Sequence, residues 1–239
     1  DSGREGGFTL HSYGRGNYLD AAGVLRDEDD QRYLLDLDAG RIFESETTYT
    51  RFKHYLDQDS LANQDSFTDH DPFSRNAIIR EEMKSENTLR VPFIPTLTFH
   101  ADFRELDKRG HQQATTVSKC TECHVTSKDK RINQRTTDID LGAEMTVGFL
   151  TFKYSNLQRR FAEGGSPPLA YYGFSSPAFP VEGFQQYGSV SDSRTSTNRF
   201  RTTAVLPLRS SLSLDYRAGT NHNRDSGAER DFDSFAARL

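Results

Sequence analysis

Apolar and polar residues alternate with a period of two along most of this chain, which is the pattern of β-strands that have one apolar face. The alternation is clearest over residues 8–18, 33–39, 97–103, 141–147, 150–154, 200–206 and 212–218. We count about nine strands, and residues 231–239 look like the opening of another one. Since the two faces of such strands suit two different solvents, the pattern predicts an antiparallel sheet with a different environment on each side.

The links between these strands are short and long in turn. Short links fall near residues 40–41, 92–95, 148–149 and 207–208, and long ones near 20–31, 56–84, 106–138, 162–194 and 220–231. Antiparallel hairpins with this order place every short turn at one end and every long loop at the other. The predicted fold class is therefore all-β, an antiparallel up-and-down outer-membrane β-barrel with long outer loops. A soluble β-sandwich also alternates apolar and polar residues, but rarely combines strands of about ten residues with this asymmetry.

Composition favours the membrane interpretation. Only 34% of the 239 residues are hydrophobic and the mean hydropathy is −0.76, which is little for a conventional core. The chain has no run approaching the ~18 apolar residues of a membrane helix, whereas barrel strands hide their apolarity in alternation. A barrel of eight to ten strands would be filled by its own side chains. We therefore expect residues 1–239 to form a single barrel region that belongs to a longer barrel.

The period-two alternation also predicts which side chains face lipid, because every second residue of a strand points to the same side of the sheet. The expected lipid-facing residues are Leu97, Phe99, Phe103, Leu141, Val147, Leu150, Phe152, Leu206, Leu212 and Leu214. Acidic and basic residues are interspersed, with a net charge of −5 and no basic stripe, so nucleic acid is not an expected partner. The sequence contains neither a nucleophile–base arrangement nor a phosphate-binding loop, and we do not expect an enzyme.

The two cysteines of the chain, Cys120 and Cys123, stand in the pentapeptide that ends with His124. This C-x-x-C-H spacing is the signature of covalent c-type haem attachment. Two thiols three positions apart can form thioethers to one haem, and the following histidine can ligate its iron. A zinc site would need two more ligands at suitable spacing, a thioredoxin-like pair would need a βαβ context, and a disulfide would close a very small loop. Because haem attachment of this kind takes place outside the cytoplasm, an export signal is expected.

The motif lies within the link 106–138, which we predict to be a haem-bearing loop insertion on the long-loop side, extracellular or folded into the lumen. A haem that only transfers electrons usually has a second axial ligand. The candidates, in order, are His111 in the same link, His100 on the polar side of the preceding strand, and His70 in another long loop. Two histidine ligands would give a six-coordinate iron that does not favour oxygen chemistry.

The chain resembles the large outer-membrane barrels of porin–cytochrome electron conduits, the MtrB/PioB-like family. The layout of strands and turns carries the resemblance, together with four stretches: residues 54–57 with 61–63, residues 110–114, residues 120–125 with Asp138 following, and residues 161–165. The resemblance implies a barrel in the bacterial outer membrane that sheathes multihaem c-type cytochromes and insulates an electron path used for extracellular electron transfer. Barrels of this family are much longer than 239 residues, and a haem on the barrel itself is not a feature of every member.

Three functions are consistent with these patterns. The first is a barrel component of an outer-membrane electron conduit that carries one covalent haem c. The second is a soluble periplasmic monohaem c-type cytochrome with a β-rich body. The third is a passive porin whose C-x-x-C-H motif is unoccupied or binds another metal. Detergent dependence distinguishes the first from the second, and a visible absorption spectrum distinguishes the third from both.

Overall fold

The computed structural model describes residues 5–59, 67–69, 76–118, 124–173, 182–207 and 210–239. Over these ranges the chain is all-β, and none of them contains a helix that is long and apolar enough to cross a membrane. The strands are β1 (Gly6–Gly14), β2 (Asn17–Asp27), β3 (Asp30–Ala39), β4 (Phe43–Tyr55), β5 (Phe67–Asp69), β6 (Ala77–Arg90), β7 (Leu97–Ser118), β8 (His124–Val147), β9 (Leu150–Glu163), β10 (Leu169–Tyr172), β11 (Gly183–Gln186), β12 (Ser193–Leu206), β13 (Ser210–Asn223) and β14 (Glu229–Arg238).

Eleven strands form one antiparallel up-and-down sheet, which we call the main sheet. Its order is β1-β2-β3-β4-β6-β7-β8-β9-β12-β13-β14, so neighbours in the sheet follow one another along the chain apart from two insertions. One insertion holds β5, which pairs in parallel with β8, and the other holds the β10–β11 hairpin. Within the described ranges β1 pairs only with β2 and β14 only with β13, so these two strands are the edges. The predicted all-β antiparallel sheet is confirmed, and the sheet is open.

The predicted asymmetry of the links is only partly correct. One end of the main sheet carries short turns, including the two-residue link between Val147 and Leu150, where Gly148 has a φ of 61°. At the other end, however, residues 20–31 and 220–231 are mostly strand. Polar strand ends and a compact turn explain the difference: the side chain of Asn223 accepts hydrogen bonds from the backbone of Asp225 and Ser226 and closes the β13–β14 link. Polar residues at these strand ends resemble a loop when hydropathy alone is considered.

The predicted loop over 106–138 is wrong in its extent. Residues 106–118 belong to β7 and residues 124–138 to β8, and the two strands remain paired along their whole length. Both faces of this hairpin are polar over much of that stretch, so hydrophobic alternation does not reveal it. Threonine-rich and cross-strand-paired segments can form strands without an apolar face.

Strand register places the ten residues predicted to share an outer face on one side of the main sheet. Phe99 on β7 lies opposite Ala143 on β8, and the same parity continues through β9, β12 and β13. We call this side the apolar face and the opposite side the polar face. Leu141 and Val147 on the apolar face are 56% and 55% exposed, whereas Asp138 on the polar face is 7% exposed. The sheet thus exposes its apolar side chains, the reverse of a sheet that packs its apolar face on a core in water.

Candidate haem-attachment site

The C-x-x-C-H motif lies at the tip of the longest hairpin. Ser118, the last residue of β7, pairs with His124, the first residue of β8, so residues 119–123 form the connection. Cys120 and Cys123 lie outside the described residues, and of His124 the backbone position is described. The motif is therefore held at a defined strand end and not within a long free loop.

This hairpin extends far beyond its neighbours. β6 pairs with β7 only as far as His111, and β9 pairs with β8 only from Gln134 onward. We call the projecting residues 112–118 and 124–133 the arm. His124 lies ten positions before Gln134 on β8, which corresponds to about 33 Å of extended strand. The root of the arm is closely packed, because Gly110 has a φ of 149° and a Cβ atom there would collide with the carbonyl oxygen of Ala77.

The β10–β11 hairpin covers one side of the arm, the side that continues the polar face. The hydroxyl groups of Tyr172 and Thr116 are 2.7 Å apart, and the ammonium group of Lys128 donates to the carbonyl oxygen of Leu169 at 2.8 Å. A small buried apolar cluster forms at this contact. Its members are Ala114, Ala170, Tyr172 and Tyr187. Burial of aromatic side chains with a satisfied hydroxyl stabilises such a contact.

The chain that follows β4 covers the other side of the arm. The side chain of Gln113 accepts from the backbone nitrogen of Asp59 at 2.9 Å and donates to its carbonyl oxygen at 2.6 Å. Further out, β5 pairs in parallel with residues 125–127 of β8, immediately beside His124. Two insertions from different parts of the chain therefore hold the arm from both sides, and the second reaches the base of the motif.

A buried ionic contact links the arm to the end of β9, and a hydrogen bond from the same lysine reaches the link that follows β11. The side chain of Lys130 is 3% exposed, its nitrogen lies 3.8 Å from a carboxylate oxygen of Glu163, and it donates to the carbonyl oxygen of Gly188. Glu163 also accepts hydrogen bonds from the side chain of Gln134 at 2.8 Å and from the backbone of Gly165 at 3.0 Å. A buried lysine or glutamate is costly unless it is paired in this way. The contact fixes where the arm leaves the main sheet.

The structure places two of the three predicted second axial ligands, His111 and His100, far along β7 from the Ser118–His124 pair. His111 lies on β7 seven residues before Ser118, or about 23 Å along an extended strand, and its Nδ1 contacts a carboxylate oxygen of Asp129 at 2.5 Å. His100 lies eighteen residues before Ser118, in the main sheet. Both lie farther from the Ser118–His124 pair than two side chains that share one iron can span along extended strands, so the strand geometry does not favour them, and the second axial ligand stays a prediction. His70 lies outside the described residues, directly after β5.

The residues of the motif fit a covalently bound haem by their chemistry. The two cysteines belong to the short connection 119–123, and its flanking residues Ser118 and His124 are held together by strand pairing. Cys120 and Cys123 would form the thioether bonds and His124 would ligate the iron, and the bound group supplies one-electron redox chemistry. Among the described residues, histidine, cysteine and carboxylate side chains form no cluster of three that could hold a metal ion.

No family model, curated protein or solved structure matches this chain. The supports of the arm are also not apparent from the sequence, because Gln113 and Asp59 are 54 positions apart and Thr116 and Tyr172 are 56 apart. The one local signal is the aromatic pair Tyr171 and Tyr172 in the link after β9.

Proposed function

We propose that this chain forms part of the wall of an outer-membrane β-barrel that carries one covalent haem c on its outer side and sheathes an electron-carrying partner, a multihaem c-type cytochrome. The observation that carries the membrane part is the exposed apolar face of the main sheet. The observation that carries the haem part is the C-x-x-C-H motif between two paired strand ends.

The apolar residues form a band that crosses the hydrogen-bonded rows of the sheet obliquely. Its loop-side limit is Tyr33 on β3 and Phe200 on β12. Phe200 is linked by successive cross-strand pairs to Ala39, which is six residues from Tyr33. From β12 to β3, a lateral distance of six strand spacings or about 29 Å, the border of the band therefore shifts along the strands by six residues, or about 20 Å. These lengths correspond to a strand tilt of about 35° relative to the band, which lies in the range of transmembrane barrels.

The height and borders of the band also suit a bilayer. On β8 it extends from Ile139 to Val147, about 26 Å of extended strand, close to the apolar height of outer-membrane barrels. Beyond the band on the loop side, the same face becomes ionic: Arg135 makes two hydrogen bonds of 2.8 and 2.9 Å to Asp107. Aromatic side chains mark the loop-side border, where the rings of Tyr33 and Tyr49 are 6.0 Å apart. Such aromatic girdles are typical at both interfaces.

The polar face suits the lumen of a barrel. A chain of ion pairs crosses it from β6 to β9, in which Arg104 contacts Glu82 at 2.6 Å and Asp138 at 3.3 Å, and Arg159 contacts Asp138 at 2.7 Å. In a soluble cytochrome the apolar face would stand in water, whereas in a barrel wall it meets lipid and the ion pairs meet an aqueous interior. This difference favours the conduit over the soluble alternative.

The directions of the two edge strands determine what would be needed to close the sheet into a barrel. Because eleven strands alternate in direction, the edge strands β1 and β14 run the same way. A direct seam between them would be parallel, whereas outer-membrane barrels are antiparallel. An antiparallel wall therefore needs an odd number of further strands between these edges, in keeping with a barrel wider than the main sheet.

The experiment is to purify the protein from outer membranes of cells that attach haem c and to compare it with a Cys120→Ser/Cys123→Ser variant. We expect detergent-dependent solubility in both, and an intact mass that exceeds the polypeptide by one haem in the wild type only. After extraction with acidified organic solvent, the colour should stay on the wild-type polypeptide. Recovery of the wild type from the soluble periplasm would refute the membrane part, and colour that leaves with the solvent would refute the haem part.

A further inference from the structure

Six acidic residues lie directly opposite one another across six adjacent strands of the polar face. Each is the registered partner of the next, so they form one continuous row from β2 to β8. The members of this acidic row are Asp20, Asp36, Glu46, Glu86, Asp102 and Asp140. Like charges directly opposite each other on neighbouring strands are destabilising, so the row is unfavourable for the sheet on its own.

The chain itself compensates only part of this charge, and Asp20 at one end of the row lies 2.9 Å from Nδ1 of His11. Glu86 forms an ion pair with Lys84, and Asp140 forms one with Arg199 at 3.4 Å. Among the described residues, no lysine or arginine forms an ion pair with Asp36, Glu46 or Asp102, although the hydroxyl of Tyr18 donates to Asp36 at 3.2 Å. The contrast with the adjacent chain of ion pairs from β6 to β9 is sharp, because there arginines alternate with carboxylates.

On β9, β12 and β13 the same face carries basic residues in place of the acidic row. Lys153 lies directly opposite Arg201, and Arg199 lies directly opposite Arg217, again as like-charged pairs. The polar face is thus divided into an acidic region on β2–β8 and a basic region on β9–β13. Lys153, Arg199 and Arg201 each also form an ion pair with a carboxylate of the chain, so the acidic row is the less compensated of the two regions. A surface that carries the opposite charges in the same arrangement would be attracted to both regions at once.

A groove of about 240 Å³ lies where the two regions meet. Its lining includes Asp102 and Asp140 from the acidic region and Lys153 and Arg217 from the basic region. Three side-chain atoms of groove residues are buried without a hydrogen-bond partner among the described residues: Nε2 of His100, Oδ1 of Asp140 and Nε of Arg199. Buried polar atoms are seldom left unpaired in native proteins, so the polar groups at this boundary are not fully satisfied by the chain's own side chains.

We propose that the polar face docks a folded partner protein that presents a lysine-rich strip to the acidic row and a carboxylate-rich strip to the basic strands. The proposal rests on the proposed function, since the partner would be the sheathed cytochrome, and adds how it is oriented. Two charged regions side by side fix the rotation of the partner about the barrel axis, which a uniformly charged wall would not do. The electron path is then aligned with one side of the wall.

The test uses the full chain in detergent and, as the probe, a small lysine-rich c-type cytochrome whose binding is measured by titration at low and high salt. The row variant is Asp36→Asn/Glu46→Gln. The control is Asp231→Asn/Asp233→Asn, which removes the same charge from β14 on the opposite side of the sheet. We expect the row variant to bind about fivefold more weakly at low ionic strength, the control to bind as the wild type does, and the differences to vanish near 0.5 M salt.

Equal weakening in both variants would show an effect of net charge only and would overturn the proposal, as would unchanged binding by the row variant. Misfolding is not an expected cause of weaker binding, because neutralising two opposed carboxylates relieves repulsion; the melting temperature of the row variant should not fall below that of the wild type. Membrane insertion and haem content of the same samples report on the proposed function separately. If the wild type inserts into the membrane and holds haem but the row variant binds the probe equally well, the docking inference is refuted and the proposed function is not.

Discussion

Ser118 and His124 face each other as the last registered pair of the β7–β8 hairpin. The strands therefore stay paired up to the edge of the C-x-x-C residues, and the motif is placed by two strands that also belong to the main sheet. Because extended strands do not fold back on themselves, residues lower on β7 cannot approach the tip. The position of the motif and the choice of iron ligands thus depend on the same geometry.

His111→Ala should leave the spin state and the covalent attachment of the haem unchanged. The reason is the separation of about 23 Å along β7 between His111 and the last strand pair. The visible spectrum of the variant checks this, with His124→Ala as the comparison that should alter the spectrum through loss of the proximal ligand. A shift to high spin in His111→Ala would mean that the arm folds back in solution.

Phe99→Arg should impair insertion into lipid by about 2–4 kcal/mol, because Phe99 lies near the middle of the apolar band on β7. Thr98→Arg places the same side chain one residue earlier on the polar face and should have a mild effect. The folded fraction after refolding into lipid vesicles, followed by heat-dependent gel migration, measures both. Equal tolerance at the two positions would argue against lipid contact on the apolar face.

Tyr172→Ala should loosen the arm and leave the main sheet intact. The side chain of Tyr172 is 2% exposed, and its removal leaves a cavity beside Ala114 and deprives Thr116 of its partner. We expect the free energy of local opening to fall by about 3 kcal/mol. Hydrogen exchange of residues 112–118 measures the change, and Tyr171→Ala is the matched control because Tyr171 is 57% exposed. Protection that is equal in both variants would show that the hairpin β10–β11 does not hold the arm.

Asp29→Asn should destabilise the protein near pH 7 by about 1 kcal/mol, with the difference lost in acid. Asp29 lies in the β2–β3 turn, 3.2 Å from Lys53 and 3.3 Å from Arg51. Burial raises the pKa of Asp29, but the hydrogen bonds from Lys53 and Arg51 outweigh it and lower that pKa below the usual carboxyl value. The stability from a lowered pKa is present above the unfolded value and is lost as pH falls through the folded one. Urea unfolding at several pH values tests this, with exposed Glu28→Gln as control; a difference that persists at low pH would contradict it.

The strands with one apolar face could be predicted from the sequence, whereas the strands of the arm could not. Phe99, Leu141 and Phe152 alternate with polar neighbours, so their shared face could be predicted before their registers were known. Residues 112–118 and 124–133 have no such contrast, because covering segments and not an apolar layer stabilise them. Proximity in sequence put His111 first in the same region, whereas β7 is extended from His111 to Ser118 and separates the two ends of that segment.

The acidic row could not be predicted from the sequence for a different reason. Asp20, Asp36 and Glu46 lie at strand positions whose side chains alternate onto the polar face. Nothing in the neighbouring sequence distinguishes them from other surface carboxylates. Their alignment depends on the register of each hairpin, which is set by turn lengths and by Gly40 and Arg41 at positive φ in the β3–β4 turn. A shift of one residue in either hairpin would move a carboxylate to the other face.

β7 and β8 are paired without a break, from Leu97 opposite Met145 to Ser118 opposite His124. The number of residues in the two strands therefore sets the distance of the tip from the main sheet. One residue added to each strand would advance the tip by about 3.4 Å and would turn every later side chain to the opposite face. Two residues added to each strand would advance it by about 6.8 Å and keep every face as it is. Evolution, or a protein engineer, can therefore set the height of the tip above the sheet in even steps without redesigning the strands beneath it.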